Sequence, residues 1–184
     1  MYKFHMAQIF KSEPREVLNE GLTDFEDMPK YMPNIKRIQV LSREKTDDAH
    51  EYITVRVFAA VDAIPPIARP FMKPNDMNWK EYYTVDYERI VVDWKVETPQ
   101  FTEFVDCRGT SNCKPHADGC ELIIEGRMII HTPPGTLLGS PVGRAVVAAI
   151  EPFIGKMVTL NMKKYFVELS KALEKKKVVA AHRA

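Results

Sequence analysis

A chain of 184 residues with 45% hydrophobic and 28% charged residues carries enough apolar material for one sizeable core. Its formal net charge of +1 excludes an overall field that would draw it to nucleic acid or to an anionic membrane. No apolar run approaches the roughly 20 residues needed to span a bilayer, and the first sixteen residues mix charge into their apolar positions, unlike a signal peptide.

Residues 2–11 alternate, with Tyr2, Phe4, Met6, Gln8 and Phe10 on one side and Lys3, His5 and Lys11 on the other, which predicts a half-buried strand. Ser12 offers an N-cap with Pro14 in the first turn, Val17 and Leu18 supply a short apolar stripe, and Gly21 ends this helix. Asp24 is placed to cap a second short helix, limited by Pro29 and Pro33. Strand periodicity then takes over at 35–44 and 51–61, with 45–50 as a hairpin loop. Further strands are predicted over 81–88, 89–97, 101–113 and 120–131, with turns at 98–100 and 117–119. Seven strands with no long helix between neighbours after residue 34 predict an antiparallel meander.

Two segments interrupt that pattern. Residues 62–78 hold four prolines together with Ile64, Ile67, Phe71, Met72 and Met77. A loop of this length in a compact domain is functional or disordered, and its apolar content predicts packing onto something. After Pro133-Pro134-Gly135 a long terminal helix is expected, starting near Ser140-Pro141 and kinked or restarted by Pro152. Phe153, Met157, Leu160, Lys164 or Tyr165, Leu169 and Leu173 recur along it at helical spacing. The expected organisation is one domain over 1–178, with 179–184 as a frayed tail.

The stretch 14–44 is similar to the polyketide cyclase/dehydratase and coenzyme Q-binding families of the START-like (SRPBCC) superfamily. The resemblance is carried by Val17-Leu18, Asp24-Phe25, Pro29, Tyr31, Pro33 and the strand residues Ile35, Ile38, Val40 and Leu41. It implies an α+β helix-grip fold: a curved, seven-stranded antiparallel sheet wrapped around a long C-terminal helix, with two short helices after the first strand. It further implies an apolar cavity between sheet and helix of the kind that holds lipids, quinones, sterols or polyketides. The family shares no single catalytic residue set, so function has to be argued from the site.

Alternation assigns the cavity wall. Ile90, Val92, Trp94 and Val96 share one face of 89–97, and Leu122, Ile124, Met128 and Ile130 share one face of 120–131. The candidate ligand-binding residues are Tyr83, Val92, Trp94, Phe104, Met128, Ile130, His131, Phe153 and Met157, with Ile67, Phe71 and Met72 on a gating loop. The bland reading of the same stripes is a solid core. Polar residues on inward faces are the sharper candidates, since a buried polar group needs a partner. These are Gln8, one of Tyr82 and Tyr83, and His131 at the cavity mouth, while Arg56 belongs to the less apolar, outward face of its strand.

Cys113, His116 and Cys120 have zinc-type ligands, but Cys107 lies roughly 20 Å from Cys113 along an extended strand, too far to complete the set. No metal and no cofactor is expected. With three cysteines and no secretory leader, the thiols are expected to be reduced, in a cytoplasmic protein. Arg69 and Lys73 beside Phe71 and Met72 suggest transient membrane contact at most. No basic stripe supports nucleic-acid binding, and the chain is expected to be a monomer or homodimer.

The leading expectation is a binder or carrier of a hydrophobic small molecule rather than an enzyme. The alternative is a cyclase/dehydratase-like enzyme using the same cavity and an inward titratable group. A third reading is an interaction module whose groove takes a protein partner.

Overall fold

Seven strands carry the alternating segments: β1 (Tyr2–Phe10), β2 (Ile35–Lys45), β3 (His50–Ala59), β4 (Asn78–Asp86), β5 (Val91–Glu97), β6 (Val105–His116) and β7 (Gly119–Ile130). Between β1 and β2 lie α1 (Pro14–Leu18), a π-helical turn at Asn19–Thr23 and α2 (Met28–Tyr31), and α3 (Pro141–Ala181) ends the chain. The computed structural model describes residues 1–32, 35–59, 78–99, 102–136 and 139–181, apart from the side chains at 102, 146, 149, 150, 153, 154, 157 and 179–181.

The strands form one antiparallel sheet in the order β1-β7-β6-β5-β4-β3-β2. Five of its six pairings join consecutive strands, as a meander requires. The exception is β1 with β7, so the chain leaves β1 at one edge and reaches the other edge through the α1–α2 elbow. That elbow packs on the sheet: Val17, Leu18, Leu22, Phe25, Met28 and Met32 are all buried.

Helix α3 closes the core with Tyr165, Phe166, Leu169 and Leu173, a stripe that meets Phe10 edge-on through Phe166 at 5.8 Å. Leu160, expected on that stripe, is instead 51% exposed, because it falls outside the arc that contains 165, 166, 169 and 173. Helix α3 also runs unbroken through Pro152. A proline removes one bond, to the carbonyl four residues back, and here that residue is the exposed Ala148.

Local chemistry moves several expected boundaries. Glu13, not Ser12, is the N-cap of α1, with no side-chain cap bond, while Ser12 is buried. Gly21 does not end the first helix, which continues as the π turn to Thr23. Asp27, not Asp24, precedes α2; Asp24 Oδ1 accepts the Glu26 N–H at 3.2 Å in a turn of its own. The strand expected from residue 89 starts at Val91, because Asp86 Oδ1 gathers the N–H groups of Glu88 and Arg89 into a turn and Ile90 takes φ +57°. The strand expected from 101 starts at Val105, after a 3-10 turn at Thr102–Phe104.

Candidate functional site in the concave face of the sheet

The register aligns three rows of inward side chains across the sheet. The first is Glu51, Val85, Val92, Ser111, Ile124 and Met6, all buried. The second is Ile53, Tyr83, Trp94, Gly109, Gly126 and Phe4, and the third is Val55, Glu81, Val96, Cys107, Met128 and Tyr2. In the second and third rows only Ile53, Val55 and Met128 are buried; the others are half-buried. The concave face therefore passes from a solid core under the elbow to a groove floor carrying partly exposed aromatic rings.

Glycine shapes that floor. Gly109 and Gly126 face each other across β6 and β7, and Trp94 and Phe4 lie over them, stacked with ring centroids 5.7 Å apart and planes 13° apart. A Cβ on Gly126 would overlap the Phe4 and Trp94 rings, and one on Gly109 would overlap Trp94 and the Glu125 carbonyl. The two missing side chains let the rings lie flat on the backbone. At one wall, Phe25 of the elbow packs on Tyr83, with ring centroids 5.0 Å apart.

One carboxyl group sits on this floor. The Trp79 indole N–H donates to Glu81 Oε1 at 2.6 Å, and the Tyr83 hydroxyl donates to Oε2. All three residues lie on the inward side of β4, two positions apart. Burial away from water holds the Glu81 carboxyl above the ordinary carboxylate range, partly offset by these two donors. Burial and the neighbouring carboxyl likewise hold the Tyr83 phenol well above its usual range. Cys107 is pushed up to about 12, by burial first and then by Glu81, so it remains a thiol and is a poor nucleophile at neutral pH. The pair Glu81–Tyr83 can accept a hydrogen bond or a proton from a bound molecule, and Trp79 fixes the carboxyl's orientation.

The packed end has its own polar cluster with a different role. Glu51 is 2% exposed; the Tyr87 hydroxyl donates to its Oε2 at 2.6 Å and Arg43 Nε lies 3.7 Å from Oε1. Arg43 also donates to the Thr23 carbonyl at 2.6 Å, and Arg15 lies over the Tyr87 ring at 5.5 Å. Burial and the Glu51 carboxylate push Tyr87 up to about 12. This network fastens the elbow to the sheet. Nearby, Cys113 and Cys120 are buried and hydrogen-bonded to one another, which together with burial holds the Cys113 thiol well above its usual range. The pair is staggered, since Cys113 stands opposite Leu122 and Cys120 opposite Pro115 across a tight hairpin.

The expected site residues are distributed unevenly. Tyr83 and Trp94 stand opposite each other on the groove floor, Met128 lies in the third row, and Ile130 follows it on the same face. Val92 belongs to the solid row, so it supports the floor from the core side. Phe104 precedes β6, and its carbonyl accepts the His131 N–H at 2.7 Å, while the His131 side chain is exposed. Gln8 is exposed and bonds the Ile9 carbonyl; Tyr82 turns outward to Glu97; Arg56 sits between Gln39 and Lys80 on the convex face. Ile67, Phe71 and Met72 lie outside the described residues, and Phe153 and Met157 outside the described side chains.

Solved structures share this fold. The Zhui aromatase/cyclase from Streptomyces sp. R1128 superposes with a TM-score of 0.68 at 12% identity, over 94% of this chain and 95% of that one. The chain has the helix-grip fold. A Thermus thermophilus protein superposes at TM-score 0.65 and 14% identity over 93% and 99% of the two chains. Norcoclaurine synthase from Thalictrum flavum, in complex with dopamine and hydroxybenzaldehyde, does so at 0.59 and 10% identity over 95% and 87%. No protein-family model matches the chain. No curated protein sequence matches it. At these identities the likeness concerns the fold.

Within the helix-grip framework, sequence reasoning missed Glu81 and Trp79, the polar pair nearest the aromatic floor. The signal was present: Trp79, Glu81, Tyr83 and Val85 alternate with period two. Starting the strand at 81 removed Trp79 from it, and with Trp79 went the reason to place Glu81 inward. A separate open cleft of 640 Å³ lies between α2 and the outer side of α3, lined by Lys30, Tyr31, Lys163, Lys164, Val167 and Glu168; it is apart from the concave face.

Proposed function

We propose that this protein binds a hydrophobic small molecule in the groove between the concave sheet face and α3, as a carrier rather than a catalyst. The supporting observation is the change from a solid first row to half-buried Trp94, Phe4, Tyr83 and Tyr2 in the rows beyond it. Aromatic rings left partly open on a concave, glycine-floored surface suit a flat or chain-like apolar molecule, whose burial stabilises the complex by roughly 25 cal/mol per Å² removed from water. Lipids, quinones, sterols and polyketide-like molecules all have this chemistry. Mass spectrometry of an organic extract of the purified protein should find a hydrophobic compound at near-stoichiometric amount. An empty extract, together with no binding of the neutral apolar fluorophore N-phenyl-1-naphthylamine, would sink the reading.

A second reading is a cyclase/dehydratase-like enzyme. It is favoured by the Glu81–Tyr83 pair, which can move a proton on the groove floor, and by the fold shared with the Zhui aromatase/cyclase. It requires that Glu81→Ala or Tyr83→Phe lower turnover of a polyketide-like chain by about a hundredfold, the usual scale of general acid–base catalysis. Unchanged product formation in both variants would remove it.

A further inference from the structure

The groove floor holds an acid that has no cation beside it among the described residues. An indole N–H only donates, so Trp79 makes Glu81 Oε1 an acceptor, and the Tyr83 hydroxyl fills an acceptor site on Oε2. Both oxygens accept, as in an ionised carboxylate. Carboxylates held away from water are normally paired with a cation.

Among the described residues no cation performs that role. Lys80, Arg56, Lys95, Arg108 and Arg127 alternate with the inward residues and so point to the convex face. Arg43 does stand in register with Ile53, but it is engaged by Glu51 and the Thr23 carbonyl beneath the elbow. The surroundings of Glu81 on its own face are Val55, Val96, Cys107 and the rings of Trp79 and Tyr83. Rings of this kind add a favourable environment for a positive charge through their electron-rich faces.

We propose that the ligand of this groove is an amine: an apolar body carrying one protonated nitrogen that pairs with Glu81, with Trp79 and Tyr83 orienting the carboxylate. This rests on the groove being a ligand site, and it narrows the ligand from any hydrophobic molecule to a cationic one. A protonated nitrogen supplies the missing charge and up to three N–H donors, and its bond to a carboxylate is about twice as strong as a neutral one. The raised proton affinity of Glu81 in the free protein is the behaviour of an acid still waiting for that partner.

Calorimetric titration with three probes of similar size tests this: 2-naphthylmethylamine, 2-naphthalenemethanol and 2-naphthoate. The wild-type protein should bind the amine at least about tenfold more tightly than the alcohol and should bind the acid most weakly. In Glu81→Gln the amine's advantage over the alcohol should vanish. If the alcohol or the acid binds as tightly as the amine, the amine assignment is overturned while the groove remains a ligand site. If none of the three binds, and N-phenyl-1-naphthylamine does not bind either, both readings fall together. The order of the three probes on the wild-type protein decides the matter even if Glu81→Gln does not fold.

Discussion

Trp94 on β5 stacks on Phe4 of β1 although β6 and β7 lie between their strands, because Gly109 and Gly126 leave the intervening backbone bare. A stack that crosses two strands depends on both glycines, but not equally. The atoms met by a Cβ at Gly126 belong to the Phe4 and Trp94 side chains, whereas at Gly109 they include the Glu125 carbonyl and the Gly126 Cα. Gly126→Ala should therefore cost about 1–3 kcal/mol, the usual scale of overpacking, and Gly109→Ala more, since backbone has to move. Urea denaturation of the two variants checks the order. Adding Phe4→Leu to Gly126→Ala should recover part of the loss, and additive costs in that double variant would contradict the ring overlap.

Tyr87→Phe tests the tie between elbow and sheet. The change removes one of the two partners of a carboxylate that is 2% exposed, leaving Oε2 of Glu51 without its donor. Loss of a buried charge-assisted hydrogen bond predicts destabilisation of about 1.5–3 kcal/mol, read from the denaturation midpoint at unchanged slope. Arg43→Met should cost about 1–3 kcal/mol, because it removes the cation beside the buried Glu51 carboxyl and the donor to the Thr23 carbonyl, although Arg43 itself is 43% exposed.

Glu81 gives the groove a pH signature. Its carboxyl has a raised proton affinity in the folded state, against an ordinary value of 4.5. Between that ordinary value and the raised one, the unfolded chain has released the proton and the folded chain keeps it, so the unfolded state binds fewer protons. Stability therefore falls as pH rises through this window. Glu81→Gln should flatten that part of the stability profile. A profile identical in slope to the wild type would show that Glu81 is as well solvated folded as unfolded.

Tyr165 anchors α3 to the elbow. It is 1% exposed, and its hydroxyl donates to the Gly21 carbonyl at 2.7 Å. Tyr165→Phe keeps the ring, which packs beside Tyr31 and Phe166, and deletes only that bond. The expected cost is about 1–3 kcal/mol, because the buried carbonyl is left unsatisfied. Amide hydrogen exchange should rise in 19–23 more than in β5 and β6.

What the sequence determined by itself is the element order and the facing of most strands. Period-two alternation and the turn residues between segments are local properties, so β1, β7 and the inward set of β5 were legible without any knowledge of pairing. The 14–44 pattern of Asp24-Phe25 and spaced prolines likewise marked the elbow, and Phe25 does reach the sheet, at Tyr83. Caps and boundaries were less legible: Ser12, Asp24 and Ile90 each had a local role that a competing bond or turn displaced.

Only the tertiary structure decided which inward residues are core and which are floor. Val92 and Trp94 look alike in the sequence, two apolar residues two apart, yet one lies in a solid row and the other over a glycine pair. The difference comes from what strands distant in sequence bring to the same row, and from where the elbow and α3 stop covering it. The same holds for Glu51 and Glu81, two inward acids. Glu51 meets Arg43 and Tyr87 under the elbow, whereas Glu81 meets two neutral donors at the open end of the sheet. Charge compensation is a property of the assembled surface, so no local pattern could separate the fastening from the candidate site.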